Sequence, residues 1–192
     1  MSTVTIIGTG NMGQAIAGIV TQGGNTVQLL GSEDLSTPAT GEIVVLAVPY
    51  SAVDQIVAER SEQLAGRVVV DITNPLNFET FDSLVVPADS SATEQIAAKL
   101  PGSRVVKAFN TTFAGTLVSG VVGGQVPTTV LVAGDDAAAK ASLADVVSAG
   151  GLRVVDAGSL RRARELEAIG FLQLTLAASE KITWTGGLGV ID

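Results

Sequence analysis

The chain has no cysteine and no histidine among its 192 residues. Without cysteine it can form no disulfide, thiol nucleophile or zinc–thiolate site. Without histidine it lacks the commonest general acid–base and the commonest metal ligand, so any chemistry must proceed without both, and no metal site is expected. Aromatic residues are scarce at 4%, and charged residues make up only 16%. No apolar run approaches the roughly 20 residues a membrane-spanning helix needs. No basic segment followed by an apolar stretch opens the sequence, so no signal peptide is expected and the cytoplasm is the default location. Basic residues are outnumbered, 11 Lys and Arg against 19 Asp and Glu, for a net charge of −8. An acidic surface repels nucleic-acid phosphates and anionic lipid, so neither nucleic acid nor membrane is an expected partner. The densest basic group, Arg161, Arg162 and Arg164, reads as a solvated or dimer-facing helix start.

What is present is apolar: 46% of residues are hydrophobic, mostly Ala and Val, and mean hydropathy is +0.45. The length suits one domain with a substantial core. Short β-branched runs recur at Val4–Ile7, Val27–Leu30, Ile43–Val48, Val68–Asp71, Arg104–Ala108, Thr129–Ala133 and Arg153–Asp156. Most are continuously apolar, as strands buried on both faces are. Helical patterns lie between them at Met12–Thr21, Ala52–Leu64, Ala92–Leu100, Ala137–Ala149 and Leu160–Ile182. The alternation predicts an α/β fold with a doubly wound, mostly parallel sheet and a C-terminal helix. Residues 31–42 leave scarcely room for a crossover helix and predict an irregular loop or a single turn.

Gly8-Thr9-Gly10-Asn11-Met12-Gly13 fits G-x-G-x-x-G directly after the first strand and at the start of the first helix. That context makes it a dinucleotide-binding fingerprint. Gly8 permits the tight turn, Gly10 lets backbone N–H groups approach a pyrophosphate, and Gly13 lets helix and strand pack closely. The helix N-terminus adds partial positive charge. The whole chain, 1–192, is therefore expected to be a single Rossmann domain. The second strand should end beside the adenosine ribose, where the sequence reads Gly31-Ser32-Glu33-Asp34. Ser32 can donate to a hydroxyl or a phosphate. Glu33 and Asp34 either face inward, where they would repel a 2′-phosphate, or point to water.

Three further segments end strands at the same carboxyl edge: Ala47-Val48-Pro49-Tyr50, Asp71-Ile72-Thr73-Asn74-Pro75 and Lys107-Ala108-Phe109-Asn110-Thr111-Thr112. Each joins an apolar wall to small polar groups, as a nicotinamide pocket requires. The expected dinucleotide contacts are Gly8, Thr9, Gly10, Asn11, Met12, Gly13, Ser32, Val48, Pro49, Tyr50, Asn74, Pro75 and Ala108. Lys107, Tyr50 and Asp71 are the candidate proton donors for a substrate that needs one. Lys107 reads either as a buried, paired lysine or as a site residue.

These segments, with Asp156-Ala-Gly-Ser-Leu160 and the tail Trp184-Thr-Gly-Gly-Leu-Gly189, resemble the NADPH-dependent reductases of the 5-deazaflavin coenzyme (factor 420) nearly end to end. They are similar too to the oxidoreductase domains of membrane-bound ferric reductases. Over the first half they are also similar to pyrroline-carboxylate reductases. The resemblance implies an oxidoreductase that passes a hydride between NADP(H), favoured over NAD(H), and a deazaflavin or flavin. The second ring would sit at Asn110, Thr111, Thr112 and Leu188. The sequence departs from the family in a shorter connection after the second strand, in Glu33 where an Arg binds phosphate, and in Asn110 where some members carry a His. Two other readings stay open: an imine or carbonyl reductase of a small metabolite, and a non-catalytic redox sensor. The last helical pattern carries more apolar surface than one stripe needs, including Leu166, Ile169, Phe171, Leu172, Leu174 and Leu176. That predicts a homodimer.

Gly10→Val should abolish dinucleotide binding while the chain stays folded, because a branched side chain would occupy the phosphate's place. Circular dichroism and a binding titration test this, and unchanged affinity in a folded variant would refute the fingerprint.

Overall fold

A computed structural model describes residues 1–34 and 36–191. Its centre is a seven-stranded sheet in the order β2-β1-β3-β4-β5-β8-β9. Strands β1 (Thr3–Ile7), β2 (Thr26–Leu30), β3 (Ile43–Leu46), β4 (Val68–Asp71) and β5 (Arg104–Lys107) are all parallel. Alternate strand residues face two cores. Val4, Ile6, Val45, Val70 and Val106 pack beneath α1 (Asn11–Gln22), α4 (Ala114–Ser119) and α5 (Ala137–Ala149). Ile7, Val44, Leu46, Val69 and Val105 pack beneath α2 (Tyr50–Leu64) and α3 (Ala92–Lys99). Burial on both faces explains the unbroken apolar runs, and the doubly wound Rossmann architecture follows from them.

Strands β8 (Thr129–Gly134) and β9 (Arg153–Gly158) pair parallel with each other, but β8 runs antiparallel to β5. A hairpin of β6 (Val121–Val122) and β7 (Val126–Pro127) precedes β8. It and α4 were not legible as elements in the sequence, being only two to six residues long. The predicted last helix is shorter than its apolar pattern. A 3-10 turn, Leu160–Arg162, leads into α6 (Ala163–Ala178). There Glu180 adopts a left-handed φ of 60°. The Glu180 N–H donates to Ala177 O, and the Lys181 N–H to Leu176 O at 2.8 Å. This is a Schellman ending made with glutamate instead of the usual glycine. The 31–42 connection forms turns without a helix or strand among its described residues; Leu35 lies outside the described residues.

A buried charge network ties the neighbouring strands β4 and β5 to α6. Lys107 Nζ, fully buried, donates to Asp71 Oδ2 at 2.8 Å, Glu167 Oε1 at 2.9 Å and the Thr73 carbonyl at 2.6 Å. Asp71 also accepts from Thr93 Oγ1 and the Thr73 N–H. Glu167 accepts from the Ala92 N–H. Burial raises the Glu167 pKa, while the neighbouring Lys107 ammonium and Ala92 N–H pull it down. A buried ion pair is costly to break one side at a time, since the remaining charge is stranded. Lys107→Met should therefore lower the unfolding free energy by about 3–5 kcal/mol, read from the denaturant midpoint. A loss below about 1 kcal/mol would refute the network's role.

Candidate functional site

The order of the sheet reverses at β1: the chain leaves it through α1 to β2 on one side and returns to β3 on the other. Ligands of open α/β sheets bind at the carboxyl ends of strands flanking such a switch point. The fingerprint glycines divide their work there. Gly8 has φ 120°, its N–H donates to Leu30 O at 2.8 Å, and a Cβ on it would stand 2.0 Å from Ala47 O. A Cβ on Gly13 would stand 2.0 Å from Gly8 O. Both are required by packing. A Cβ on Gly10 would meet nothing within 4 Å. Gly10 is also the N-cap of α1, with no side chain bonded to the first-turn N–H groups. Its missing side chain answers no internal need, and it opens the helix end to something outside the chain.

Three adjoining cavities make one trough along this edge. The first, about 440 Å³, is lined by Gly8, Thr9, Gly10, Ser32, Val48 and Pro49, with Ile56 and Arg60 of α2. The second, about 320 Å³, shares Gly10, Val48 and Pro49 with the first and continues past Asn11, Met12, Tyr50 and Asn74. The third, about 380 Å³, shares Asn11, Met12, Ile72, Asn74 and Leu174 with the second. It ends on Phe109, Asn110, Thr112, Phe113, Trp184 and Thr185. Of the predicted dinucleotide contacts, ten thus line the trough. Gly13, Pro75 and Ala108 are buried behind it.

The third cavity is held open by a strained turn. Phe109, 1% exposed, has a φ of 61°, and the Asn110 N–H donates to Ala108 O at 2.8 Å. Such tight left-handed turns at a bulky residue are strained and cluster at functional sites. The Asn110 amide is oriented by two acceptors, Asn74 Oδ1 at 2.9 Å and Leu166 O at 2.8 Å. Asn74 Nδ2 returns a bond to Asn110 O. Thr112 Oγ1 donates to Phe109 O and closes the loop. Thr111 is buried and does not line the cavity. Leu188 is 53% exposed and lies outside it. The tail reaches the cavity through Trp184 instead, whose ring packs edge-on against Phe113 at 5.0 Å. Gln173, which the sequence reading missed, fixes that tail: its amide donates to Thr111 O and accepts from the Leu188 N–H. A lone Gln inside an apolar helix face was the signal available.

The candidate proton donors separate. Lys107 and Asp71 are completely buried in the charge network and line no part of the trough. Tyr50 lines the second cavity, and its hydroxyl donates to Gln95 Oε1 at 2.8 Å. Burial, with Asp54, Glu167 and Asp71 nearby, raises its pKa and keeps it protonated. Among the described residues no group of three or more acidic side chains could hold a metal ion. Nor is any helix among them long and apolar enough to cross a membrane.

Residues 33–75 match the family model described as NADP oxidoreductase, coenzyme F420-dependent. Over 172 residues the chain is 31% identical to the F420-dependent NADP reductase of Methanocaldococcus jannaschii, covering 88% of this chain and 76% of that protein. It is 34% identical over 158 residues to the rat metalloreductase STEAP3, covering 82% of this chain but 30% of that protein. A solved structure from Arthrobacter sp. FB24, described as a candidate F420-dependent NADP reductase, superposes with a TM-score of 0.86 at 26% identity over the whole of both chains. The extent and identity of the match to the M. jannaschii protein, over a trough that runs from the glycine turn to the tail, place the chain in the F420-dependent NADP reductase family.

Proposed function

We propose that the chain is an oxidoreductase that passes a hydride between NADP(H), lying along the first two cavities, and coenzyme F420 or a related flavin in the third. The observation that carries this reading is the make-up of the third cavity. Among the described residues that line it there is no titratable side chain: Phe109, Phe113, Trp184 and Ile72 supply apolar walls, and Asn74, Asn110 and Thr112 supply neutral polar groups. Hydride transfer between two stacked rings requires proximity and alignment, with no positioned acid. Reduction of an imine or carbonyl requires a proton donor near the reacting carbon. The wall chemistry favours the first.

The chain's residues divide the work. The open face of Gly10 and the free first-turn N–H groups of α1 fit a pyrophosphate. Val48, Pro49 and Met12 give a flat apolar bed in the second cavity, and Asn74 offers an amide to a carboxamide. When bound, NADP(H) supplies the hydride itself. Asn110, Thr112 and the Trp184–Thr185 segment orient the accepting ring and exclude water. Thr111 and Leu188 support this loop and tail from outside the cavity.

The same reading extends to assembly. We take residues 1–192 as one dinucleotide-binding domain, acting in the cytoplasm as a homodimer through the outer face of α6. Leu172 there is 52% exposed, and Phe171 and Leu176 beside it are only half-buried. Light scattering at micromolar concentration should give twice the 19.4 kDa chain mass; a monomer mass would overturn the assembly. Thr112→Trp should cut hydride transfer to F420 by at least about 100-fold through misplacement of the ring. Its NADPH affinity should stay unchanged, because the adenosine end is remote. Parallel loss of affinity and turnover would refute the two-ring arrangement at this position, and full activity would put the acceptor elsewhere.

A further inference from the structure

The adenosine end of the trough is built from the turn that ends β2. The Gly31 N–H donates to Asp34 Oδ2 at 2.8 Å, and the Asp34 N–H donates back to Gly31 O at 3.2 Å. Asp34 thus spends its carboxylate closing the turn. Glu33 does not. Its carboxylate folds over Gly31, so that a Cβ on that glycine would stand 3.0 Å from Oε1. Ser32 Oγ donates to Glu33 Oε2 at 3.2 Å, and both Gly31 and Ser32 line the first cavity. Glu59 lines the same cavity from α2.

The one cation among the residues that line this cavity is Arg60. It is 3% exposed, and its guanidinium donates to Asp34 O at 2.8 Å, Thr37 O at 2.8 Å and Gln63 Oε1 at 3.3 Å. The first two bonds fasten the 31–42 loop to α2. Glu59 thus lines the cavity, Glu33 stands beside its lining residues Gly31 and Ser32, and the Arg60 guanidinium is turned to holding the loop.

We infer that Glu33, with Ser32, reads the 2′ position of the adenosine ribose as a hydroxyl, so that NADH enters this site and binds at least as tightly as NADPH. Glu33 stands twenty residues beyond Gly13, in the turn three residues past the end of the second strand. An acidic residue placed there on this fold accepts a hydrogen bond from the ribose 2′-hydroxyl. A carboxylate can only accept, and a hydroxyl has a proton to give. A 2′-phosphate carries close to two negative charges near neutral pH and would meet Glu33 and Glu59, while Arg60, the one cation among the described residues lining this cavity, is bonded to the loop. Like charges a few ångströms apart at an exposed site repel modestly, and salt screens them. The inference rests on the reading of the trough as a dinucleotide site and is independent of which ring takes the hydride.

The test is equilibrium titration of the whole chain with NADH and with NADPH, without acceptor, followed by nicotinamide fluorescence at low and high salt. The expected result is a Kd for NADH equal to or below that for NADPH. Glu33→Gln should improve NADPH affinity relative to NADH several-fold. Glu33→Arg should move that ratio about tenfold or more toward NADPH, since a guanidinium pairs with the phosphate, and the gain should shrink in salt. Glu33 is exposed, so both variants should fold. NADPH binding tighter than NADH in the parent overturns the inference, as does a ratio that neither variant moves. Failure of both dinucleotides to bind would instead overturn the dinucleotide reading, and the inference with it.

Discussion

The Lys107 ammonium is the point on which this structure turns. It lies at the C-terminal end of β5, fully buried, and bonds two carboxylates that belong to β4 and α6 together with the Thr73 carbonyl of the loop after β4. Through Thr93 and Ala92 the same network holds the start of α3. A dry, fully bonded charge cluster tolerates few alternative arrangements. Its members therefore fix how far the β4 and β5 loops stand apart and where α6 crosses them. Asn74 and Asn110, three residues beyond the paired Asp71 and Lys107, inherit that spacing and bond each other at 2.9 Å. The floor of the third cavity is thus set by electrostatics one layer beneath it.

Above that layer the trough separates kinds of polarity along its length. Its glycine end offers the first turn of α1, which no N-cap side chain covers, and an empty space where a Cβ would be. Its middle is apolar with the Asn74 amide. Its far end is aromatic and neutral. A long ligand with an anionic middle and a flat, uncharged end matches this order, and the relationship to F420-dependent NADP reductases is consistent with it.

Much of this was legible in sequence. The five parallel strands, the principal helices and the glycine turn could be read because each has a local signature: continuous apolar runs, helical periodicity, and glycines at a fixed spacing. The direction of β8 could not, because an apolar run buried on both faces reads the same in either orientation. The end of α6 was overrun because a glutamate takes the left-handed position that glycine usually marks. Asp71 and Lys107 stood out as charges among valines, but Glu167 did not, since its burial arises only when α6 packs on α3. The tail's contribution was placed on Leu188, whereas Trp184 and Thr185 line the cavity. That difference depends on Gln173, whose bonds to residues 62 and 15 positions away no local pattern encodes.

Phe109 carries a further consequence. A phenylalanine held at φ 61° is a spring kept compressed by its neighbours. Glycine or asparagine would relieve strain of about 1–3 kcal/mol, but either exchange would give up a ring that is only 1% exposed, at a cost of about 3–5 kcal/mol. Such an exchange would remove an aromatic wall from the third cavity and loosen the turn that aims Asn110. Core packing and ligand shape therefore favour the same ring at this residue, against the preference of the backbone. The backbone stays strained here because one ring serves the core and the cavity wall at once, so neither can be altered at this position without the other.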